Sequence, residues 1–304
     1  MRWLKTGLTG TATHDILVGT SQSETISGGA GNDLFFHGGG KDLLTDQAGN
    51  DFYRLSFYND VEVRIQDASG TDGIQMDYSY IKDLGFRRSG TALVIEDNKT
   101  NAKVIVEDQF STGGIETFKA KIYGYPLPDS IMTFTFSPEL MGTAAADLIV
   151  GTSIDEEITG NLGEDYLVGG GGDDSLYGGD GADILNGGAG KDLMTGGAGR
   201  DLFVFHALSD SGTTATTMDT IYDFDHTKRE YIDLSGIDAD STTAGNQSFD
   251  FISREVYSGT AGELRYEQVG GNFRIDVDVD GDMVDDFNIL LAGNIVLRAG
   301  DFVL

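Results

Sequence analysis

Hydrophobic residues recur at intervals of nine in two stretches of the chain. Residues 142–204 divide into nonapeptides whose eighth residue is always apolar, and residues 10–54 divide in the same way, with an apolar or aromatic eighth residue. These eighth residues are Leu17, Ile26, Phe35, Leu44 and Tyr53 in the first array, and Ile149, Ile158, Leu167, Leu176, Leu185, Met194 and Phe203 in the second. One apolar residue framed by polar residues and glycine predicts a short strand in each repeat, with its central side chain directed inward.

The sixth residue of every repeat is acidic. These residues are Asp15, Glu24, Asp33, Asp42 and Asp51 in the first array, and Asp147, Glu156, Asp165, Asp174, Asp183, Asp192 and Asp201 in the second. The chain has 50 acidic residues among 304, so composition alone would place only about two acids in twelve such positions. The nonapeptide is therefore a structural repeat.

Glycines at the first, second and fourth positions predict a tight turn with positive φ before each strand. A repeat this short buries its apolar side chain only against neighbouring repeats, which predicts a parallel solenoid. With two nonapeptides per turn, equivalent residues of every second repeat stack on the same edge. Asp165, Asp183 and Asp201 then line one edge of the second array, and Asp174 and Asp192 line the other. Stacked carboxylates repel unless a cation lies between them, and hard oxygen ligands on turns favour Ca²⁺.

The two arrays open with related sequences, GTATHDILVGTS from Gly10 and GTAAADLIVGTS from Gly142. This internal duplication predicts two domains, residues 1–136 and 137–304, with a boundary near residues 130–141 and turns at Pro126-Leu127-Pro128 and Ser137-Pro138.

Residues 55–135 lack the nonapeptide but contain strand patterns at Val61–Ile65, Ala92–Glu96 and Lys103–Glu107, with a hairpin turn at Asp97–Asn101. The predicted fold is all-β, with two tandem parallel solenoid modules (residues 10–54 and 142–204), each flanked by antiparallel strands.

The formal net charge of −30 argues against several classes of binding partner, and the absence of cysteine excludes disulfide bonds. An acidic surface repels phosphate backbones and anionic lipid, so neither nucleic acid nor a membrane surface is an expected partner. No apolar run approaches the roughly 20 residues of a membrane span, and no apolar stretch follows the basic start, so no Sec-type signal is expected. The chain contains neither HExxH nor GxSxG, so we expect no enzymatic activity.

The repeat GGxGxDxUx, best matched at Gly28–Phe36 and Gly169–Val204, resembles that of the RTX (repeats-in-toxin, haemolysin-type) calcium-binding proteins. The resemblance implies a parallel β-roll with calcium between successive turns. One turn would supply the carbonyls of positions 2 and 4 and its aspartate, and the turn two repeats further on would supply the carbonyls of positions 1 and 3 and its own aspartate. The residues implied are Gly29, Gly31, Asp33, Asp42, Asp51, Asp165, Gly169, Gly170, Gly172, Asp174, Gly178, Gly179, Asp180, Gly181, Asp183, Gly187, Ala189, Asp192, Gly196, Ala198 and Asp201.

Some repeats depart from the RTX pattern. Asp46-Gln47 replaces Gly-Gly in the turn of Asp51, and His37 replaces a glycine in the turn of Asp42. The opening repeats of both arrays, GTxxxD and GTxxxE, lack the later glycines and resemble caps without metal.

The segment after Val204 resembles the junction that follows the β-roll in serralysin-type proteases, where DFxxGxDxIDLS is usual. Lys228 and Glu230 here replace its Gly and Asp, which puts calcium binding at Asp223 in doubt.

The end of the chain, Asp301–Leu304, resembles the end of a type I secretion signal and is equally compatible with a last strand. Asp276–Gly281 imitates the start of an EF-hand loop, but its twelfth position is Phe287 where glutamate is needed, which favours an acidic hairpin tip.

Together these features predict a secreted, extracellular, non-enzymatic protein that binds about five to eight Ca²⁺ ions and folds on binding them after leaving a type I ABC exporter. Two alternatives remain open. The chain could be the non-catalytic part of a larger exported protease, lipase or polysaccharide-modifying enzyme. It could also be a calcium-dependent adhesin or lectin-like protein with a glycan or host-surface partner, bound through Tyr78, Tyr80, Tyr123 and Tyr125.

Overall fold

The computed structural model describes residues 8–56, 61–80, 83–97, 99–100, 102–110, 115–122, 130–137, 140–293 and 295–304. The chain divides into unit 1, Met1–Pro138, and unit 2, Glu139–Leu304. The proline turn predicted at residues 126–128 lies outside the described residues, as does Pro138. None of the helices in the described ranges is long and apolar enough to cross a membrane.

The first array of unit 1 forms two parallel stacks of short strands. The strands are β1 (Leu8–Thr9), β2 (Ile16–Val18), β3 (Thr25–Ser27), β4 (Leu34–Phe36), β5 (Lys41–Asp46) and β6 (Phe52–Ser56). Odd-numbered strands pair with one another, and even-numbered strands do the same. Leu17 pairs with Phe35, and Phe35 with Tyr53, which confirms the predicted stacking of every second repeat.

The remainder of unit 1 consists of β7 (Glu62–Asp67), β8 (Gly73–Tyr80), β9 (Leu84–Ser89), β10 (Ala92–Asp97), β11 (Lys103–Val106), β12 (Thr117–Ile122) and β13 (Ser130–Ser137). The predicted hairpin is present as the antiparallel pair β10–β11. The predicted antiparallel flank is present only in part: β9, β10 and β11 are antiparallel, as are β12 and β13. However, β7 and β8 extend the two parallel stacks and carry β11 and β12 as further parallel neighbours. Buried Val63 and Ile65 follow buried Leu44 along this stack, so an apolar column favours continued pairing even without the glycine repeat.

Unit 2 repeats the arrangement. Its array strands are β14 (Asp147–Val150), β15 (Glu157–Leu162), β16 (Tyr166–Gly171), β17 (Ser175–Asp180), β18 (Ile184–Ala189), β19 (Leu193–Ala198) and β20 (Leu202–Val204). Strands β14, β16, β18 and β20 form one parallel stack, and β15, β17 and β19 form the other. Leu167 pairs with Leu185, and Leu176 with Met194, so stacked residues are again two nonapeptides apart.

The C-terminal part of unit 2 adds β21 (Asp219–Ile221), β22 (Tyr231–Asp233), β23 (Asp250–Ser253), β24 (Glu263–Val269), β25 (Asn272–Asp278), β26 (Phe287–Leu291) and β27 (Phe302–Val303). Strands β21 and β22 continue the parallel stacks, whereas β24, β25 and β26 are antiparallel. The EF-hand-like segment, Asp276–Gly281, spans the end of β25 and the start of the turn to β26. There the Asp278 carboxylate accepts hydrogen bonds from the backbone N–H groups of Gly281 and Met283.

The eighth residues of the repeats form the core of each array. All twelve are buried, and Leu17, the most accessible, is 5% exposed. Fully burying a side chain of this kind contributes roughly 1.5–3 kcal/mol. The predicted inward column is confirmed.

The glycine turns differ from the prediction in one respect. Glycines at positions 2 and 4, such as Gly170 (φ 105°) and Gly172 (φ 108°), have left-handed φ. Glycines at position 1, such as Gly178 and Gly187, do not. The first glycine is therefore required for a reason other than backbone conformation.

Candidate metal centre

The aspartates at position 6 form rows joined by backbone hydrogen bonds. The Oδ1 atom of Asp183 accepts from the backbone N–H of Asp165 at 2.9 Å, and that of Asp201 accepts from Asp183 at 3.0 Å. On the other edge, Asp192 Oδ1 accepts from Asp174 N at 2.8 Å. The structure thus brings together the carboxylates that the repeat spacing predicted to lie on each edge, and one oxygen of each faces a donor.

The second oxygen of each carboxylate in these rows is buried and has no hydrogen-bond donor among the described residues. These atoms are the Oδ2 atoms of Asp33, Asp42, Asp51, Asp165, Asp174, Asp183, Asp192 and Asp201. Burying an ionised carboxylate without full compensation is costly. The pKa values agree, because burial raises those of Asp165, Asp183 and Asp192 to about 7. Each row of buried carboxylates therefore requires bound protons or cations to neutralise its charge in the folded state.

Position 1 of the repeat provides the space into which the free oxygens point. A Cβ atom on Gly178 would lie 2.5 Å from Asp183 Oδ2 and 2.5 Å from the carbonyl oxygen of Gly196. Gly160 and Gly169 have the same surroundings, formed by Asp165 with Gly178 and by Asp174 with Gly187. This explains the first glycine, since a side chain would fill the cradle. Convergent carboxylate and carbonyl oxygens fit a hard cation such as Ca²⁺.

The backbone carbonyls implied by the RTX resemblance have matching orientations. The carbonyls of Gly31, Gly170, Gly172, Gly179 and Gly181 face the next turn, and those of Gly169, Gly178, Gly187 and Gly196 face the previous one. The Gly29 carbonyl accepts from Gln47 N at 3.2 Å. At position 3, the carbonyls of Asp180, Ala189 and Ala198 accept one hydrogen bond each, from Gly163, Gly172 and Gly181, which leaves them a second lone pair. The Asp180 side chain is exposed.

The cap repeats supply internal donors to their acids, although Asp147 Oδ1 stays buried without a donor among the described residues. Backbone N and Oγ1 of Thr143 donate to Asp147 Oδ2 at 2.6 and 2.8 Å. Thr152 donates in the same way to Glu156, at 2.6 and 2.7 Å. The threonine at position 2 thus supplies donors that the glycine repeats lack, which gives a physical basis for predicting caps without metal.

The turn of Asp42 differs from the others. The buried His37 ring places Nδ1 3.4 Å from Asp42 Oδ2, and burial lowers the pKa of this imidazole. An imidazole thus occupies the space that a position-1 glycine leaves open elsewhere, so Asp42 lies in surroundings unlike those of the other predicted ligands.

Sequence reasoning missed Asp219. Its Oδ1 atom accepts from Asp192 N at 2.8 Å, and its buried Oδ2 atom has no donor among the described residues. Burial, with Asp192 nearby, raises the pKa of this carboxyl to about 9. The nine-residue frame, continued beyond Val204, places Asp219 at position 6 and Ile221 at position 8, so the phase of the repeat contained the signal.

The junction after the second array places a basic side chain against the array. Lys228 Nζ donates to the carbonyl of Gly197 at 2.9 Å and to Glu230 Oε1 at 3.1 Å. Both oxygens of Asp223 accept from backbone N–H groups, those of Gly196 and Gly197. The two residues that depart from the serralysin pattern therefore place an ammonium group against the last glycine turn.

Several solved structures are similar to this chain. The AlgE6R3 and AlgE6R2 subunits of the Azotobacter vinelandii mannuronan C5-epimerase are 31% and 28% identical to this chain. They cover 51% and 54% of it, and 80% and 90% of their own lengths, with TM-scores of 0.37 and 0.31. The extracellular lipase LipA from Serratia marcescens is 17% identical, with a TM-score of 0.27; the match covers 96% of this chain and 40% of the lipase.

No curated protein matches the chain. A family model described as Peptidase M10 serralysin C terminal matches residues 7–304. With both repeat arrays inside that match, the chain belongs to the serralysin C-terminal family, whose repeats are of the RTX type.

Proposed function

We propose that this chain is a secreted, non-enzymatic protein that binds Ca²⁺ at the turns of its two arrays and folds on binding. The observation that carries the proposal is the rows of buried carboxylate oxygens without donors among the described residues, which a cation between turns would neutralise. Membership of the serralysin C-terminal family supports calcium binding and an extracellular location.

The carboxylate rows make folding depend on calcium concentration. Where calcium is scarce, repulsion between stacked carboxylates and the conformational entropy of the glycine turns oppose folding. Where calcium is abundant, the ion binds only the folded arrangement, in which two turns lie together, and shifts the equilibrium by mass action. Asp165, Asp183 and Asp201 would hold ions on one edge of unit 2, and Asp174 and Asp192 on the other.

This coupling suits export through a type I ABC transporter. Phe302 and Val303, next to the end that resembles a secretion signal, pair with Ile232 and Asp233 in the folded protein. An unfolded chain would leave this segment accessible to an exporter, and calcium-driven folding outside the cell would then withdraw it into the sheet.

Calcium titration tests the proposal directly. We expect the full chain in chelator to have a weak far-ultraviolet β signal, and millimolar calcium to raise it cooperatively while calorimetry counts the ions. Magnesium at equal concentration is the control, because Mg²⁺ demands a smaller octahedral site and retains its water. A chain that is equally folded in chelator and binds no calcium would overturn the proposal.

Without calcium, we expect folded-state stability to fall as the pH rises from about 4 to 7. Burial raises the pKa of Asp165, Asp183 and Asp192 from 3.8 to about 7 in the folded state, so the folded chain holds more protons than the unfolded chain across this window. With calcium, the order should reverse, because protons compete for the same oxygens. Urea unfolding in chelator and in calcium at pH 4.5 and 7.5 measures both trends. Stability in chelator that rises with pH would contradict the assignment.

A second candidate function has support from the family description, which refers to the C-terminal portion of peptidases. The chain would then be the exported, non-catalytic part of a larger enzyme, and calcium binding would be unchanged. Sequencing the gene upstream of Met1 distinguishes the two, because only this candidate requires a catalytic domain in the same reading frame.

For the adhesin alternative, Tyr123, Tyr125 and the side chain of Tyr78 lie outside the described part of the structure, and Tyr80 is half-buried.

A further inference from the structure

Unit 1 contains a group of carboxylates that the glycine repeat does not include. One oxygen from each of Asp33, Asp46 and Asp51 lies within 4.8 Å of the other two, and so does one oxygen from each of Asp51, Asp67 and Asp72. All five side chains are buried; Asp33 and Asp51 are 2% exposed and Asp46 is 4% exposed. We call these five residues the acidic column.

Parallel pairing in unit 1 produces the column. Asp46 occupies position 1 of its repeat, where all seven repeats of unit 2 have glycine, and Asp67 pairs with it on the neighbouring strand. Asp72 stands where the next position-6 acid is required, because its Oδ1 atom accepts from Asp51 N at 2.7 Å. The step from Asp46 to Asp67, and from Asp51 to Asp72, is longer than two nonapeptides, so the nine-residue frame does not reveal the later pair.

The hydrogen bonds leave free oxygens that face one another. Asp46 Oδ2 accepts from Ala48 N at 2.8 Å, whereas Asp46 Oδ1 has no donor in the described part of unit 1. The Oδ2 atoms of Asp33, Asp51 and Asp72 likewise have none among the described residues. The point where a Cβ atom on Gly28 would lie is within 2.5 Å of both Asp46 Oδ1 and Asp33 Oδ2. The free oxygens thus point into the same cradle that position 1 forms in unit 2.

Asp67 is held in place by an aromatic side chain. The buried hydroxyl of Tyr53 donates to Asp67 Oδ2 at 2.6 Å, and Ser69 N donates to Asp67 Oδ1 at 3.3 Å. This fixes the carboxylate beside Asp51 and Asp72 and leaves its remaining lone pairs for a cation. Tyr53 also places a phenol ring next to this part of the column.

We propose that the acidic column forms two tricarboxylate cation sites that share Asp51, and that these are the tightest calcium sites of the protein. The inference rests on the proposed function for calcium itself and adds where the tightest ions bind. In unit 2, position 1 contributes a carbonyl, so two carboxylates face each gap; Asp46 and Asp67 raise that number to three. The affinity of Ca²⁺ sites increases with the charge of their ligands, and three carboxylates further favour a trivalent lanthanide over a divalent ion.

The decisive variant is Asp46→Gly/Asp67→Gly in the full chain, which restores the residue that most repeats have at position 1. We expect calorimetry to show two ions fewer in the tightest class, or binding of those two weakened at least tenfold, with the weaker class unchanged. Terbium excited through tyrosine should lose its tightest luminescence phase, because Tyr53 adjoins the column. Asp46→Asn/Asp67→Asn removes the charge while keeping the side-chain shape, and should have the same effect.

The matched control is Glu157→Gln/Glu255→Gln, which removes two exposed acidic side chains that belong to no predicted cation site; it should leave both classes of calcium site unchanged. If wild-type protein binds calcium and the double variants retain the same number and affinity of tight sites, the tricarboxylate assignment is wrong while the proposed function stands. If wild-type protein binds no calcium, both are wrong.

Discussion

We expect Gly178→Ala to destabilise calcium-loaded unit 2 by about 3 kcal/mol, at the upper end for overpacking in a rigid site. The added Cβ would lie 2.5 Å from Asp183 Oδ2 and from the carbonyl oxygen of Gly196. The carboxylate can rotate away, but then its oxygen leaves the cradle. The carbonyl belongs to β19, which parallel pairing holds in place. The measurement is urea unfolding at saturating calcium, combined with ion counting by calorimetry.

The control for this substitution lies in the same array. Gly171 is at position 3, and a Cβ atom there would find its nearest neighbour, the Ala189 carbonyl oxygen, at 3.6 Å. Ala189 and Ala198 already occupy position 3 in later repeats. Gly171→Ala should therefore retain wild-type stability and ion number. Equal behaviour of the two variants would show that the space at position 1 has no part in binding.

Asp183→Asn should weaken calcium binding but raise the stability of the folded chain in chelator. Asp183 adjoins two gaps, toward Asp165 and toward Asp201. The amide can keep the acceptor for Asp165 N, but it removes the charge and turns an NH₂ group toward the gap. We expect calcium binding at both gaps to weaken at least tenfold, or by about 1.4 kcal/mol each. In chelator at pH 7.5 the variant should be more stable than wild type, because burial raises the pKa of Asp183 to about 7 and the amide avoids that penalty.

Glu157→Gln is the comparison for this experiment, since its carboxylate is exposed and it belongs to no predicted calcium site. It should change neither calcium affinity nor stability in chelator by a measurable amount. Titrations followed by circular dichroism, together with urea unfolding in chelator, report both quantities. A loss of stability in chelator for Asp183→Asn would mean that the carboxylate is compensated within the protein itself, which contradicts the cation assignment.

Much of the fold followed from local spacing. An apolar residue such as Leu176 or Leu185 at position 8 and an acid at position 6 predict parallel turns of two nonapeptides each, and the strand pairs and buried column have that spacing. The flank of unit 1 was harder to predict, because β7 and β8 join the parallel stacks without any repeat sequence. Alternating strands such as Glu62–Asp67 have the same local pattern whether their neighbour is parallel or antiparallel.

The sequence by itself determined the nine-residue period, the inward direction of the position-8 side chains, the rows of acids on each edge and the oxygen ligands that favour calcium. All of these depend on residue types at fixed intervals. Only the tertiary structure decided which acids join those edges. Asp46, Asp67 and Asp72 meet Asp33 and Asp51. Asp219 keeps the phase of the nine-residue frame, but only strand pairing shows that it follows Asp192 directly, although it lies one nonapeptide further along than the usual spacing of two. The physical reason is that hydrogen bonds between parallel strands set the register, and a turn can lengthen without disturbing them. Which carboxylates come together at the longer turns therefore depends on pairing between distant strands, and the local spacing of residues does not specify that pairing.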